Sequence, residues 1–168
     1  RSTGAAHRFV TASVIAILER LRDEGYATEA IPADGDALML QLKEGITNDP
    51  EQWALRPARQ SLAMEAYLAF FERLPQAVRN AVNERWGQPS DDPMTRQGRF
   101  MIAGLRCGQV FVGIQPARGY ELDAQASYHD PDLVPPHHYL AFYCWLREVW
   151  RSDAIVHVGK HGNLEWLP

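Results

Sequence analysis

Apolar residues recur at helical spacing in "TASVIAILERLRDEGY", where Val14, Ile17, Leu18 and Leu21 share one face. Thr11 or Ser13 suits the start of that helix, and Gly25 suits its end. "DGDALMLQLKEG" repeats the pattern over a shorter span, with Asp36 ahead of Leu38 and Leu42, and Gly45 behind them. A third helix is expected over "SLAMEAYLAFFERL". Pro75 ends it and opens a fourth, "PQAVRNAVNERWG", with Val78 and Val82 on one face and Gly87 past the end.

The texture changes after "GQPSDDP". β-formers flank Arg106-Cys107-Gly108-Gln109 in "RFMIAGLRCGQVFVGIQP", which predicts two strands and a tight hairpin. Residues 116–136 are rich in Pro, Asp, His and Tyr and predict a long loop, of a length that is usually functional or disordered. "HHYLAFYCWLREVW" reads as a helix with Tyr139, Tyr143, Leu146 and Trp150 down one side, and "DAIVHVG" as a buried strand. The pattern therefore predicts an α/β class of lobe within a larger multidomain protein. Residues 1–98 form a mainly helical part, and residues 99–168 bring hairpin, long loop, helix and strand.

Composition narrows the function classes more than it names one. The chain has 168 residues, 46% apolar and 23% charged, enough to build a core without metals or disulfides. Its formal charge of -4 argues against a nucleic-acid partner, which asks for a basic patch. Cys107 and Cys144 follow no C-x-x-C pattern and read as reduced thiols. No run approaches the ~20 apolar residues of a membrane span, and no signal peptide opens the chain, so the default expectation is cytoplasmic. An N-terminus without methionine and an abrupt Pro168 suggest a piece of a longer polypeptide.

Three stretches can carry chemistry. In "HVGKHGNLEWLP", His157, His161 and Glu165 stand four apart, which on a helix would stack them like metal ligands. Gly159 and Gly162 break a helix, and Val156 and Val158 favour strand. The expectation is a strand end followed by a turn that presents Lys160, His161 and Asn163, with Glu165 just beyond. Imidazole and carboxylate there would accept protons or hold a divalent metal. The H-E-x-x-H order of zinc hydrolases is not matched.

"YHDPDLVPPHH" gathers Tyr128, His129, Asp130, Asp132, His137 and His138. An Asp-Pro turn ahead of a helix explains them plainly, and spacing alone favours that reading over metal capture. In "GIQPARGY", Arg118 could clamp a carboxylate or phosphate, or simply be a surface arginine. No G-x-x-x-x-G-K-[ST] motif occurs, so the chain carries no P-loop.

"VFVGIQPARGY", "YHDPDLVPPHHYLAFYCWLRE" and "AIVHVGKHGNLEWLP" together resemble the CobN family of aerobic cobaltochelatase large subunits, relatives of the large H-type component of magnesium chelatase. The likeness is strongest over residues 99–168 and weaker from Thr11 to Pro93. Trp166-Leu167-Pro168 stands where the magnesium relatives typically have Phe-Met-Pro, which favours the cobalt branch. The resemblance implies ATP-dependent insertion of Co2+, as substrate, into hydrogenobyrinic acid a,c-diamide during cobalamin biosynthesis, with ATP hydrolysed by separate AAA+ partner subunits. It implies His161, Glu165 and His157 as catalytic residues and His129, Asp130, Asp132 and His137 as a metal path. Arg118, Lys160, Tyr128 and Trp166 would bind the tetrapyrrole. The alternatives are an H-type magnesium chelatase component placing Mg2+ in protoporphyrin IX, a non-catalytic docking lobe, and a metal-dependent hydrolase. The resemblance also implies that these 168 residues alone are inactive.

Overall fold

The computed structural model describes residues 3–49, 55–119 and 133–159, with side chains described from Val10 onward. Two compact units emerge, each assembled from segments distant in sequence. One takes the described parts of Arg1–Arg59, Ala103–Ile114 and Val156–Gly162, and the other those of Gln60–Ile102, Gln115–Ile155 and Asn163–Pro168. The mixed helix-and-sheet class expected from the pattern is what the described residues form.

The first unit is built on α1 (Thr3–Asp23) and α2 (Gly35–Glu44). α1 ends as a Schellman motif: Gly25 takes φ +91, its N–H reaches the Arg22 carbonyl, and Tyr26 N–H reaches that of Leu21. α2 starts at Asp34, whose carboxylate accepts from Ala37 N–H at 2.8 Å. The cap is thus Asp34, the residue with extended backbone ahead of the first turn. Gly35 lies so close to α1 that a Cβ there would sit 2.9 Å from Ala12 N. Two four-residue strands, here β4 (Gly104–Cys107) and β5 (Val110–Gly113), form the expected hairpin. Ile15, Leu18, Leu38, Leu105 and Cys107 make its core, so the helical period of α1 and the alternation of β4 meet in one cluster.

The second unit contains a three-stranded antiparallel sheet in the order β1-β3-β2, from β1 (Gln60–Ala63), β2 (Thr95–Arg96) and β3 (Arg99–Ile102). α3 (Met64–Phe71) and α4 (Gln76–Trp86) lie between β1 and β2 in the chain. Here two expectations are corrected. The helix read from Ser61 begins only at Met64, because Leu62 is buried opposite Phe100 in the β1–β3 ladder. That pairing outweighs the helical propensity of Ser-Leu-Ala. "RFMI" likewise joins β1 and β2 rather than the hairpin that follows it. Pro75 caps α4 from outside its first turn, and Gly87 closes it at φ +81.

α5 (His137–Cys144) follows, and its helix continues through a π-helical turn at Trp145–Val149. Trp145 stacks on Trp150 with ring centroids 5.7 Å apart. The strand expected over residues 153–159 is not formed. Asp153 to Gly159 run as exposed, irregular backbone, and none of β1–β5 pairs with them. β-branched residues favour a pleated, half-buried surface only where a neighbouring strand supplies the ladder. Cys107 and Cys144 are both buried and unbonded, and burial lifts the pKa of the Cys144 thiol to about 11. Among the described residues, no helix is long and apolar enough to cross a membrane.

Candidate functional site

The most elaborate polar arrangement among the described residues lies inside the second unit, where α5 begins. Its first residue follows Pro135-Pro136, and a proline N-cap offers no side chain to the free amides of the first turn. Asp92 does this from a distance. One carboxylate oxygen, Oδ2, accepts from His138 N–H at 2.9 Å and from His138 Nδ1 at 3.2 Å. The other, Oδ1, accepts from Met94 N–H at 2.9 Å. The Asp92 carboxylate is fully buried, and a negative group at a helix N-terminus is further favoured by the helix dipole.

His137 fills the adjoining space. Its Nε2 lies 3.0 Å from the Gly87 carbonyl, and its Nδ1 lies 2.8 Å from the Tyr67 hydroxyl. A carbonyl only accepts, so Nε2 carries the proton, and a neutral Nδ1 accepts from Tyr67 O–H. The ring is wedged edge-on against Phe71 at 5.1 Å and Tyr67 at 5.7 Å, while Tyr67 itself packs on Phe100 at 4.7 Å. Burial is the main cause that pushes the His137 pKa below its ordinary value, partly opposed by the Gly87 hydrogen bond. Burial also raises the Tyr67 pKa strongly, so its hydroxyl stays protonated.

A pH dependence follows from the sign of that shift. Below about pH 6.5 the unfolded chain protonates His137 while the folded protein resists, so the unfolded state binds more protons and stability falls. Thermal unfolding from about pH 7.5 down to about 5.5 should show the midpoint dropping, and His137→Gln should flatten that slope.

Three further hydrogen bonds, and one packing contact, hold the segments on either side of residues 120–132. Arg118 is 5% exposed and donates from Nη2 to the Leu133 carbonyl at 3.3 Å. Trp86 Nε1 donates to the Val134 carbonyl at 2.7 Å, and Gly119 packs against the Trp86 ring. Gln115 Nε2 donates to the Tyr143 hydroxyl at 2.7 Å. Chain entering and chain leaving this stretch are thereby fastened to one framework.

The residues singled out in the sequence divide accordingly. His161, Glu165, Lys160, Trp166, Tyr128, His129, Asp130 and Asp132 lie outside the described residues. His157 is exposed on irregular backbone. Arg118 is no surface arginine, since it is buried with a guanidinium N–H on the Leu133 carbonyl. His137 has both ring nitrogens engaged by protein groups in the core, which is the place of a packing and hydrogen-bonding residue, not of a ligand at an open position. Among the described residues no three His, Cys, Asp or Glu side chains gather to hold a metal ion.

Asp92, Tyr67 and the pairing of His138 were not picked out by sequence reasoning. "DDPM" shows a turn but not that its carboxylate reaches a helix 46 residues on. The Tyr67/Phe71 spacing of four was the available signal for an aromatic face on α3.

This architecture belongs to one family: residues 2–168 match the CobN/Magnesium Chelatase family, and the chain is a member of it. Within the family it is 61% identical over 157 residues to the aerobic cobaltochelatase protein CobN of Pseudomonas aeruginosa, covering 94% of this chain and 13% of that protein. It is 30% identical over 162 residues to the H-type component of magnesium chelatase from Chlorobaculum parvum, covering 95% of this chain and 12% of that protein. The catalytic subunit of cobaltochelatase from Mycobacterium tuberculosis superposes with a TM-score of 0.77 at 37% identity, over 94% of this chain and 14% of that one. The chain thus spans about an eighth of the length of these relatives.

Proposed function

We propose that these residues are part of the large, tetrapyrrole-binding subunit of an ATP-dependent cobaltochelatase that inserts Co2+ into hydrogenobyrinic acid a,c-diamide in cobalamin biosynthesis. The observation that carries the cobalt assignment is the 61% identity to a CobN protein against 30% to an H-type magnesium chelatase component. Trp166-Leu167-Pro168, in place of Phe-Met-Pro, supports the same branch. ATP is hydrolysed by AAA+ partner subunits, in keeping with the lack of a P-loop motif in this chain. The complex works in the cytoplasm.

Metallating a macrocycle requires that two ring N–H protons leave and that a hydrated cation shed its water. His161 and Glu165 serve as proton acceptors or transient ligands, with His157 beside them in sequence. His129, Asp130 and Asp132 line the path of the incoming cation, and Lys160 pairs with rim carboxylates. Tyr128 and Trp166 pack on the ring face. Arg118 and His137 act by holding the chain on either side of residues 120–132, a role suggested by their burial and backbone partners.

Titrating the full-length subunit with hydrogenobyrinic acid a,c-diamide and with protoporphyrin IX tests the assignment. The corrin precursor should bind at least about tenfold more tightly, a difference of about 1.4 kcal/mol. Preference for the porphyrin would assign the chain to the magnesium branch, and binding of neither would leave a docking role.

A further inference from the structure

We propose that the exit from α5 is a positioning device for the candidate motif that follows it, and that the left-handed backbone of Arg151, not its guanidinium, sets the direction in which the chain leaves. In an α-helix each N–H bonds the carbonyl four residues back, but Trp150 N–H bonds that of Trp145, five back, at 2.8 Å. Residues five apart on an α-helix point about 140° apart. The wider π-turn brings Trp150 round to stack on Trp145, with ring planes 15° apart. It also leaves the Leu146 carbonyl to Ser152, whose N–H reaches it at 3.0 Å and whose hydroxyl donates to it at 3.2 Å.

Between these two anchors Arg151 takes φ +59, a conformation that costs a residue with a Cβ and that helix ends usually give to glycine. Gln97, at φ +51, has a plain reason in the tight turn between β2 and β3. Ala30, also at φ +51, stands in the connection between α1 and α2. Arg151 differs in leading directly toward His157 and His161 in sequence. π-turns are frequent at functional sites, and backbone strain persists where the surroundings over-determine it. The Trp145–Trp150 stack and the Ser152 bonds supply that hold. The Arg151 side chain is exposed, so it fills no space in the core. The proposal rests on the reading of His161 and Glu165 as proton acceptors, which need a fixed approach to the ring N–H groups they serve.

Two substitutions in the full-length subunit test it. Arg151→Val puts a β-branched residue at a positive φ, which such residues resist, whereas Arg151→Gly keeps that φ accessible and removes the charge. Without metal or corrin, the Trp150 and Ser152 amides should lose about tenfold of their exchange protection in Arg151→Val and keep it in Arg151→Gly. With Co2+, the corrin precursor, ATP and the AAA+ subunits, Arg151→Val should lower kcat by about tenfold or more with KM within about twofold, and Arg151→Gly should turn over like wild type. Equal protection in all three proteins would overturn the proposal whatever reaction the subunit performs. So would a lowered unfolding midpoint in Arg151→Val with unchanged kcat, which marks a structural role alone, and so would an Arg151→Gly variant as slow as Arg151→Val. Protection ordered as expected in a wild-type subunit that inserts no Co2+ would refute the chelatase reading while supporting the geometry of the exit.

Discussion

Glu165→Ala in the full-length subunit should leave the corrin precursor bound and lower Co2+ insertion by about 100- to 10,000-fold, the range for losing a positioned proton acceptor. The tetrapyrrole must lose two protons while its nitrogens are being captured by the metal, and water is a poor base at neutral pH. A carboxylate four residues from an imidazole, in a glycine-containing stretch, supplies two side chains able to accept protons. His161→Ala should fall by a similar factor, and the double variant by less than the product of the two, because residues that act as a unit are not additive. Single-turnover absorbance of the metallated product, with ATP and the AAA+ subunits present, reads the rate, and equilibrium titration reads binding. Unchanged turnover in both variants would remove them from the reaction.

The second large effect is on stability. Asp92→Ala removes the acceptor of three N–H groups at once, those of Met94, the His138 backbone and the His138 ring. Breaking a buried hydrogen-bonded pair of this kind costs about 3–5 kcal/mol, because the stranded partners find no water. Asp92→Asn keeps one carbonyl-type oxygen and should cost less, about 1–3 kcal/mol. Chemical denaturation followed by far-UV circular dichroism checks both, and equal stability of wild type and Asp92→Ala would mean that the start of α5 is held by something else.

How far the sequence alone reaches differs between the two kinds of signal. α1, α2 and α4 are legible because periodicity and glycine stops agree at each, as with Gly25 after Leu21 and Gly87 after Val82, but α1 begins at Thr3, so Thr11 and Ser13, expected at its start, lie inside the helix. The β4–β5 hairpin is legible from Gly108-Gln109, whose φ of +63 at Gly108 needs a glycine. β1 is hidden because Gln60–Ala63 carries no strand signal of its own and exists only through its register with β3. Residues 153–159 fail in the opposite direction, with a strong local strand signal and no ladder among the described residues to satisfy it.

The candidate site shows the same split between local and distant information. The motif "HVGKHGNLEWLP" is visible as a motif, and family membership gives it meaning, yet His161 and Glu165 lie outside the described residues. The contacts on either side of residues 120–132 are the reverse case. Asp92 to His138, Tyr67 to His137 and Arg118 to Leu133 span 46, 70 and 15 residues, and no short motif encodes such pairings. Spacing favoured a plain helix start for the paired histidines after two prolines, and their burial with protein partners is in line with it.

Insertion by the assembled complex tests the central claim most directly. The full-length subunit, its AAA+ partners and ATP would be offered Co2+ with hydrogenobyrinic acid a,c-diamide, and in parallel Mg2+ with protoporphyrin IX. Product formation should be confined to the cobalt corrin and should stop when ATP is withheld. Magnesium porphyrin as the product, or no metallated product from either pair, would contradict the assignment.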